Sequence, residues 1–279
     1  MSFKIKNLKT ENREIIEQLE NFSILEYDKD VSVSPVTAAT EYYMTEMGVK
    51  RRQLVVKLDG SKSLVTQAGA MQWIAGDISA TTGVKGVGDF LGKMVKGAVT
   101  KETAVKPEYV GKGIIVLEPT YKFITLQRVE DWGSGISVED GMFLACEGSV
   151  KQNVVMRSNV SSAVLGGEGL FNLSLQGSGI VALESNVPME ELIEIHLEND
   201  VLKIDGNLAV CWSSSLEFTV ERSTKSLLGS AVSGEGLVNV YKGTGKVLIS
   251  PVAPTSSLYA ATNTLAAKAV ATRSNTLGR

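Results

Sequence analysis

The run Gly167-Glu168-Gly169-Leu170-Phe171-Asn172-Leu173-Ser174-Leu175-Gln176-Gly177-Ser178-Gly179-Ile180-Val181 decides the fold, because the chain spells it again downstream. Gly234-Glu235-Gly236-Leu237 opens the second copy, and after Val238-Asn239-Val240 it reaches Gly243-Thr244-Gly245-Lys246-Val247. A third copy lies upstream, where Lys101-Glu102-Thr103 precedes Gly111-Lys112-Gly113-Ile114-Ile115. Gly111, Gly177 and Gly243 stand 66 residues apart, and Glu102, Glu168 and Glu235 stand 66 and 67 apart. Self-similarity at a fixed period marks a repeated structural unit.

A second landmark recurs inside the units. Asp140-Gly141-Met142-Phe143-Leu144-Ala145-Cys146 is answered by Asp205-Gly206-Asn207-Leu208-Ala209-Val210-Cys211, and Ala68-Gly69-Ala70-Met71-Gln72-Trp73-Ile74 stands as the first copy. Asp-Gly between apolar runs predicts a hairpin, because the turn needs positive φ. This alignment puts Ile74, Cys146 and Cys211 at one position, and the cysteines read as small buried hydrophobes rather than reactive thiols.

The remaining strands are short and rich in Val, Ile and Leu, as over residues 53 to 57, 114 to 117, 123 to 126 and 216 to 220. The fold class that follows is all-β, with three tandem short β-sandwich or double-stranded β-helix-like units over residues 47–112, 113–178 and 179–250. A leader, 1–46, and a tail, 251–279, flank them. Within the leader, Ile15, Ile16 and Leu19 alternate with Glu11, Glu14 and Glu17, which predicts a short helix over residues 10 to 21. The Ala-, Ser- and Thr-rich tail reads as a frayed helix or a disordered end.

Composition narrows the function classes. A net charge of -3 over 279 residues, with both signs dispersed, gives no overall field for nucleic acid or an acidic membrane. Two cysteines are too few for a disulfide framework and lack the companions of a zinc site. Met1 to Lys6 is followed by no apolar signal region, and no run reaches the roughly 18 apolar residues of a spanning helix. The expected location is the cytoplasm, or peripherally at the inner face of its membrane.

Few residues invite chemistry. His196 is the single imidazole, lies in the acidic stretch Glu190 to Glu198 and reads as a surface residue, so neither a Ser-His-Asp arrangement nor zinc has support. Residues 83 to 92 are glycine-rich but lack the Gly-Lys-Ser/Thr ending of a nucleotide loop. The segment reads better as a short amphipathic helix, with Val87, Phe90, Leu91 and Met94 opposite Lys85, Lys93 and Lys96. Lys85, Phe90, Lys93 and Lys96 are therefore the candidates for a membrane or partner contact.

Glu102, Glu168 and Glu235, with Gly111, Gly177 and Gly243, read as structural positions of the repeat. Trp73, Trp132 and Trp212 form no stripe interleaved with basic residues, which disfavours a nucleic-acid platform. No catalytic residue, metal ligand or cofactor site is assigned, and the chain is expected not to be an enzyme.

The stretch Gln67 to Trp73, the glycine-rich segment ending at Thr100-Lys101-Glu102-Thr103, and Gly243-Thr244-Gly245-Lys246-Val247-Leu248-Ile249 together resemble the altered-inheritance-of-mitochondria family. That family is a bacterial group related to a mitochondrial inner-membrane biogenesis protein, and the likeness covers residues 50 to 252. In the first unit, Lys101-Glu102-Thr103 stands where members carry Gly-Glu-Ser. The resemblance implies a fold like the tryptophan-RNA-binding attenuation protein, tripled in one chain and closed into a homotrimeric ring of nine units. It carries no catalytic residues across.

Two functions compete at this point: a non-catalytic oligomeric scaffold with an unknown protein partner, and a ring that binds RNA or a small molecule. A hydrolase using Asp140, Asp205 or Glu168 is a distant third.

Overall fold

In the computed structural model, which describes residues 3–81, 106–156, 171–222 and 237–253, the chain is mostly β. It enters through a hairpin, β1 (Arg13–Leu19) and β2 (Phe22–Tyr27), that turns on Glu20 at φ 50°. The helix expected over residues 10 to 21 is thus corrected to a strand. Glu and Leu favour helix locally, but β2 buries Phe22, Ile24 and Leu25 and pairs with β3 (Arg52–Asp59), and β1 completes that sheet. Tertiary pairing outweighs the local preference. A helix, α1 (Ala38–Glu46), joins β2 to β3 and buries none of its residues.

The chain continues through β4 (Leu64–Thr66), β5 (Met71–Thr81), β6 (Glu108–Leu117), β7 (Phe123–Arg128) and β8 (Ile136–Val138). Next come β9 (Phe143–Glu147), β10 (Lys151–Met156), β11 (Phe171–Gln176) and β12 (Ile180–Ser185). The last four are β13 (Ile193–Asp205), β14 (Ala209–Ser213), β15 (Glu217–Arg222) and β16 (Leu237–Ile249). One sheet of nine strands runs β1-β2-β3-β6-β4-β9-β12-β7 with β5 added on β6. A second, of seven, runs β10-β11-β8-β14-β16-β13 with β15 added on β16. Every pairing between named strands is antiparallel.

The 66-residue interval of the glycines recurs in the hydrogen bonding. Glu118, Glu184 and Ser250 donate their N–H groups to the carbonyls of Ala70, Met142 and Leu208, each at 2.7 Å. Tyr109 faces Leu64, Leu175 faces Ile136, and Tyr241 faces Leu202 across the ladder. Gly111, Gly177 and Gly243 have φ of 126°, 97° and 127°. At Gly111 the requirement is double, since a Cβ there would also lie 2.1 Å from the Asp77 carbonyl oxygen. A boundary at 112 passes through the continuous strand β6, whereas one at 178 falls in the turn between β11 and β12.

The Asp-Gly landmark is a turn, with Gly69, Gly141 and Gly206 at φ 78°, 79° and 69°. It is not a hairpin. β8 pairs β11 and β14 while β9 pairs β4 and β12, so the turn carries the chain from one sheet to the other. β14 likewise leaves β13 and enters between β16 and β8.

The equivalence of the two cysteines also needs correction. Ile74 and Cys146 face Ile115 and Val181, 66 residues apart, but the next position in the series, Val247, faces Trp212. Cys211 lies one residue earlier, facing Leu248. The cause is length: the turn between Asp205 and β14 holds one residue more than that between Asp140 and β9. A one-residue slip moves a side chain to the opposite sheet face.

The core forms in layers. Leu54, Val56, Ile115, Ala145 and Ala182 fill one, Cys146, Val181, Leu183, Cys211 and Leu248 the next, and Trp212, Tyr241 and Val247 a third. Because most strands lie between layers, they read as continuous apolar runs instead of alternating ones.

Candidate functional site

Two strand junctions tie distant parts of the sequence together. At the first, β4 lies against β9, with Leu64 opposite Glu147, Val65 opposite Cys146 and Thr66 opposite Ala145. The Gly148 N–H donates to the Ser63 carbonyl and the Gln67 N–H to the Leu144 carbonyl, both at 2.9 Å. At the second, β8 lies against β14, with Ile136 opposite Ser213, Ser137 opposite Trp212 and Val138 opposite Cys211. The Ser214 N–H donates to Gly135 at 2.9 Å and the Glu139 N–H to Val210 at 3.1 Å. All six pairs are buried.

Side chains distinguish the junctions. The first holds Glu147, whose side chain is 3 % exposed and whose two oxygens meet Lys62 Nζ at 2.7 Å and the Ile180 N–H at 3.4 Å. Pairing is what makes a buried carboxylate tolerable. Lys62 also reaches Glu20 at 3.1 Å, fastening the N-terminal hairpin to the same point. At the second junction, the Ser214 hydroxyl lies 3.0 Å from that of Ser137 and 3.1 Å from that of Ser174.

Two strands of the same kind have one open side. Among the described residues β5 pairs only with β6, and β13 only with β16. Trp73, Ile74, Ala75 and Leu202 are half-buried there, while Met71, Val201 and Lys203 are exposed.

The residues singled out for chemistry do not converge. The His196 side chain is 68 % exposed and its Nε2 lies 2.6 Å from Glu194, matching the surface reading. Cys146 and Cys211 are fully buried, and burial pushes the Cys146 thiol up to about 12 and the Cys211 thiol higher still. Thiols so protected are inert. Asp140 sits half-buried in a turn and Asp205 exposed at the end of β13. Lys85, Phe90, Lys93, Lys96, Glu102, Glu168 and Glu235 lie outside the described residues.

Two cavities of ≈ 430 Å³ flank the N-terminal hairpin. Asp28, Glu41, Glu46 and Lys50 line one, and Lys50 is held by Glu26 and Asp28. Arg13, Tyr27, Arg51 and Gln72 line the other, where Arg13 donates to the Leu8 and Asn7 carbonyls and Arg51 pairs with Asp30. Arg13, Lys50 and Arg51 thus serve to hold the hairpin and the segment after it. No group of three or more His, Cys, Asp or Glu fit to hold a metal occurs among the described residues, and no helix there is long and apolar enough to cross a membrane. Sequence reading missed the junctions because β4 and β8 are three residues long and show no periodicity.

The comparisons agree with the architecture. A protein of Streptococcus pyogenes solved by X-ray crystallography superposes with a TM-score of 0.57 over 77 % of this chain and 93 % of its own, at 23 % identity, which shows a shared fold. An uncharacterised protein of Streptococcus pyogenes serotype M6 is 27 % identical over 203 residues, covering 70 % of this chain and 79 % of that one. The model of the family described as mitochondrial biogenesis AIM24 matches residues 44–252, three quarters of the length, and the chain belongs to that family.

Proposed function

We propose that the chain acts without catalysis, as a homo-oligomeric scaffold that presents its surface to a protein partner. One observation carries the reading: the buried acid Glu147 is committed to a strand junction, while strands that resemble the junction strands have an open side among the described residues. A catalytic carboxylate would instead face a cleft within hydrogen-bond reach of a substrate. The resemblance implies a homotrimer. Native mass measurement combined with affinity capture from the source cell tests the proposal, with three times the 29.8 kDa chain expected together with a stoichiometric partner. A strictly monomeric protein would exclude it.

A peripheral contact with the anionic inner face of the cytoplasmic membrane is supported by the sequence alone, through Lys85, Lys93 and Lys96. Flotation with phosphatidylserine vesicles tests it. Binding should fall when the three lysines become glutamates, and absence of binding by the unaltered chain removes this part of the proposal.

A further inference from the structure

The two internal junctions share one plan, and the open edges have the remaining halves of it. Indexing each strand by its ladder partner, which recurs every 66 residues at Tyr109, Leu175 and Tyr241, places Leu202, Lys203 and Ile204 where Leu64, Val65 and Thr66 stand. The same operation places Ala75, Ile74 and Trp73 where Glu147, Cys146 and Ala145 stand. The residues of β4, β8, β9 and β14 are buried at their junctions, whereas Ala75, Ile74, Trp73 and Leu202 are half-buried and Lys203 is exposed. Resting on the oligomeric reading above, we infer that a second copy of the chain pairs its β13 with the β5 of the first, with Leu202 opposite Ala75, Lys203 opposite Ile74 and Ile204 opposite Trp73.

Three features of the structure support this partner. First, a glycine recurs at the hydrogen-bonded end of each junction. Gly148 donates to Ser63 and Ser214 to Gly135, and the corresponding residues of the open edges are Gly76 and Val201. At Gly148 a Cβ would meet Ser63 Oγ at 1.8 Å, whereas at Gly135 and Gly76 it would meet the carbonyls of Leu175 and Lys112 on the strand beside it. What recurs across the junctions is therefore the backbone position of the glycine. Second, the Lys203 ammonium, the charge that would guard a solvent edge, is drawn to Glu221 at 3.1 Å across the sheet face, leaving the backbone edge accessible. Third, the outer face of the first sheet beside Trp73 is already covered by Leu8, Ile15 and Tyr27, so the edge itself is what remains to be paired.

The geometry also fixes the kind of assembly. Each copy has one edge of each type, and neither type repeats the plan with itself. Contact is therefore head to tail, closing into a ring or extending, and an isologous dimer is excluded. In the internal junctions the hydrogen bonds fall at Gly148 and Leu144, so Glu147 and Ala145 occupy the non-hydrogen-bonded sites between them. Leu202 and Ala75 inherit such a site, where Cα atoms lie about 4.5 Å apart, within disulfide range.

The test is the double variant Ala75→Cys with Leu202→Cys, oxidised and run without reductant. The native cysteines are 0 % exposed and do not compete. Covalent multiples up to the native mass are expected, while Ile74→Cys with Leu202→Cys, whose side chains fall on opposite faces, should run as single chains. An oligomer of unchanged native mass in which the first pair stays reduced overturns the pairing and leaves the scaffold reading standing. A monomer overturns both. Ile74→Pro supplies a second check independent of disulfide chemistry: removing an edge N–H should reduce the native mass to one chain that keeps its β circular dichroism, and a folded variant with an unchanged assembly counts against the inference.

Discussion

The β4/β9 and β8/β14 junctions have the same backbone bonds and different contents. In one, Ser63 is matched by Gly148 and a Lys62–Glu147 pair closes the site. In the other, the small residue has changed sides, Gly135 against Ser214, and three serine hydroxyls replace the ion pair. The backbone sets the spacing and register; the side chains give each junction an address. A strand placed at the wrong junction would meet either a clash or an unpaired buried charge, and both penalties discriminate more sharply than an added attraction.

The largest effect should come from the glycines that make the shared backbone possible. Gly111→Ala combines φ 126° with a Cβ 2.1 Å from the Asp77 carbonyl, and we expect a loss of about 3 kcal/mol or more, or failure to fold. At Gly177, 66 residues on, a Cβ would meet nothing nearer than the Ser149 carbonyl at 3.6 Å, so the same change should cost about 1–2 kcal/mol from its φ of 97° alone. Denaturant unfolding of the two variants measures the difference. Equal losses would show that the surroundings contribute nothing beyond the dihedral.

Next in size is the exchange of small residues at the junction. A Cβ on Gly148 would fall 1.8 Å from Ser63 Oγ, and that hydroxyl is engaged with Glu108 at 2.6 Å. Gly148→Ala should therefore cost about 1–3 kcal/mol by overpacking, and Ser63→Gly in the same chain should recover part of it. Unfolding midpoints of the single and double variants decide the matter; additive losses would mean that the two positions do not share space.

How much of this was legible follows the range of the interactions. The glycine interval and the Asp-Gly turns could be read because both are demands of the local dihedral, visible as residue type at Gly111, Gly141 and Gly206. The partner of each strand could not. Lys62 and Glu147 are 85 residues apart, and β4 is too short to carry a pattern. Counting from Asp205 misplaced Cys211 because the ladder is indexed by β16, not by the turn, and one extra turn residue is invisible until the ladder is known. The N-terminal hairpin was misread for the same reason, since what makes residues 13 to 19 a strand is β2 lying beside them.

Those cysteines give a smaller, pH-dependent effect. Cys146 lies in β9 and Cys211 in β14, one in each junction. Folding raises the Cys146 thiol from the ordinary 9.0 to about 12 and raises Cys211 further, by desolvation of the thiolate. A group kept protonated by the fold stabilises it fully below the unfolded value. Above pH 9, the unfolded chain loses the proton first and stability declines, by about 1.4 kcal/mol per pH unit for each thiol. Between pH 9 and 10, Cys146→Ala with Cys211→Ala should lose less stability than the parent chain, each measured against its own value at pH 8. Parallel curves would mean that the thiols ionise without unfolding.

The smallest effects separate the two addresses by their physics. Lys62 is nearly half exposed, so water and salt screen its pull on Glu147, and a double-mutant cycle of Lys62→Met with Glu147→Gln should give a coupling of about 1 kcal/mol at low ionic strength. That coupling should shrink toward zero in molar salt as the screening length falls to about 3 Å. Ser214→Ala removes a neutral hydroxyl from between Ser137 and Ser174 and should cost a similar amount, about 0.5–1.5 kcal/mol, at every salt concentration. The two curves should therefore begin together and diverge. If both fell with salt, the serine junction would owe its stability to a charge not accounted for by its hydroxyls, and the division between an ionic and a hydroxyl address would fail.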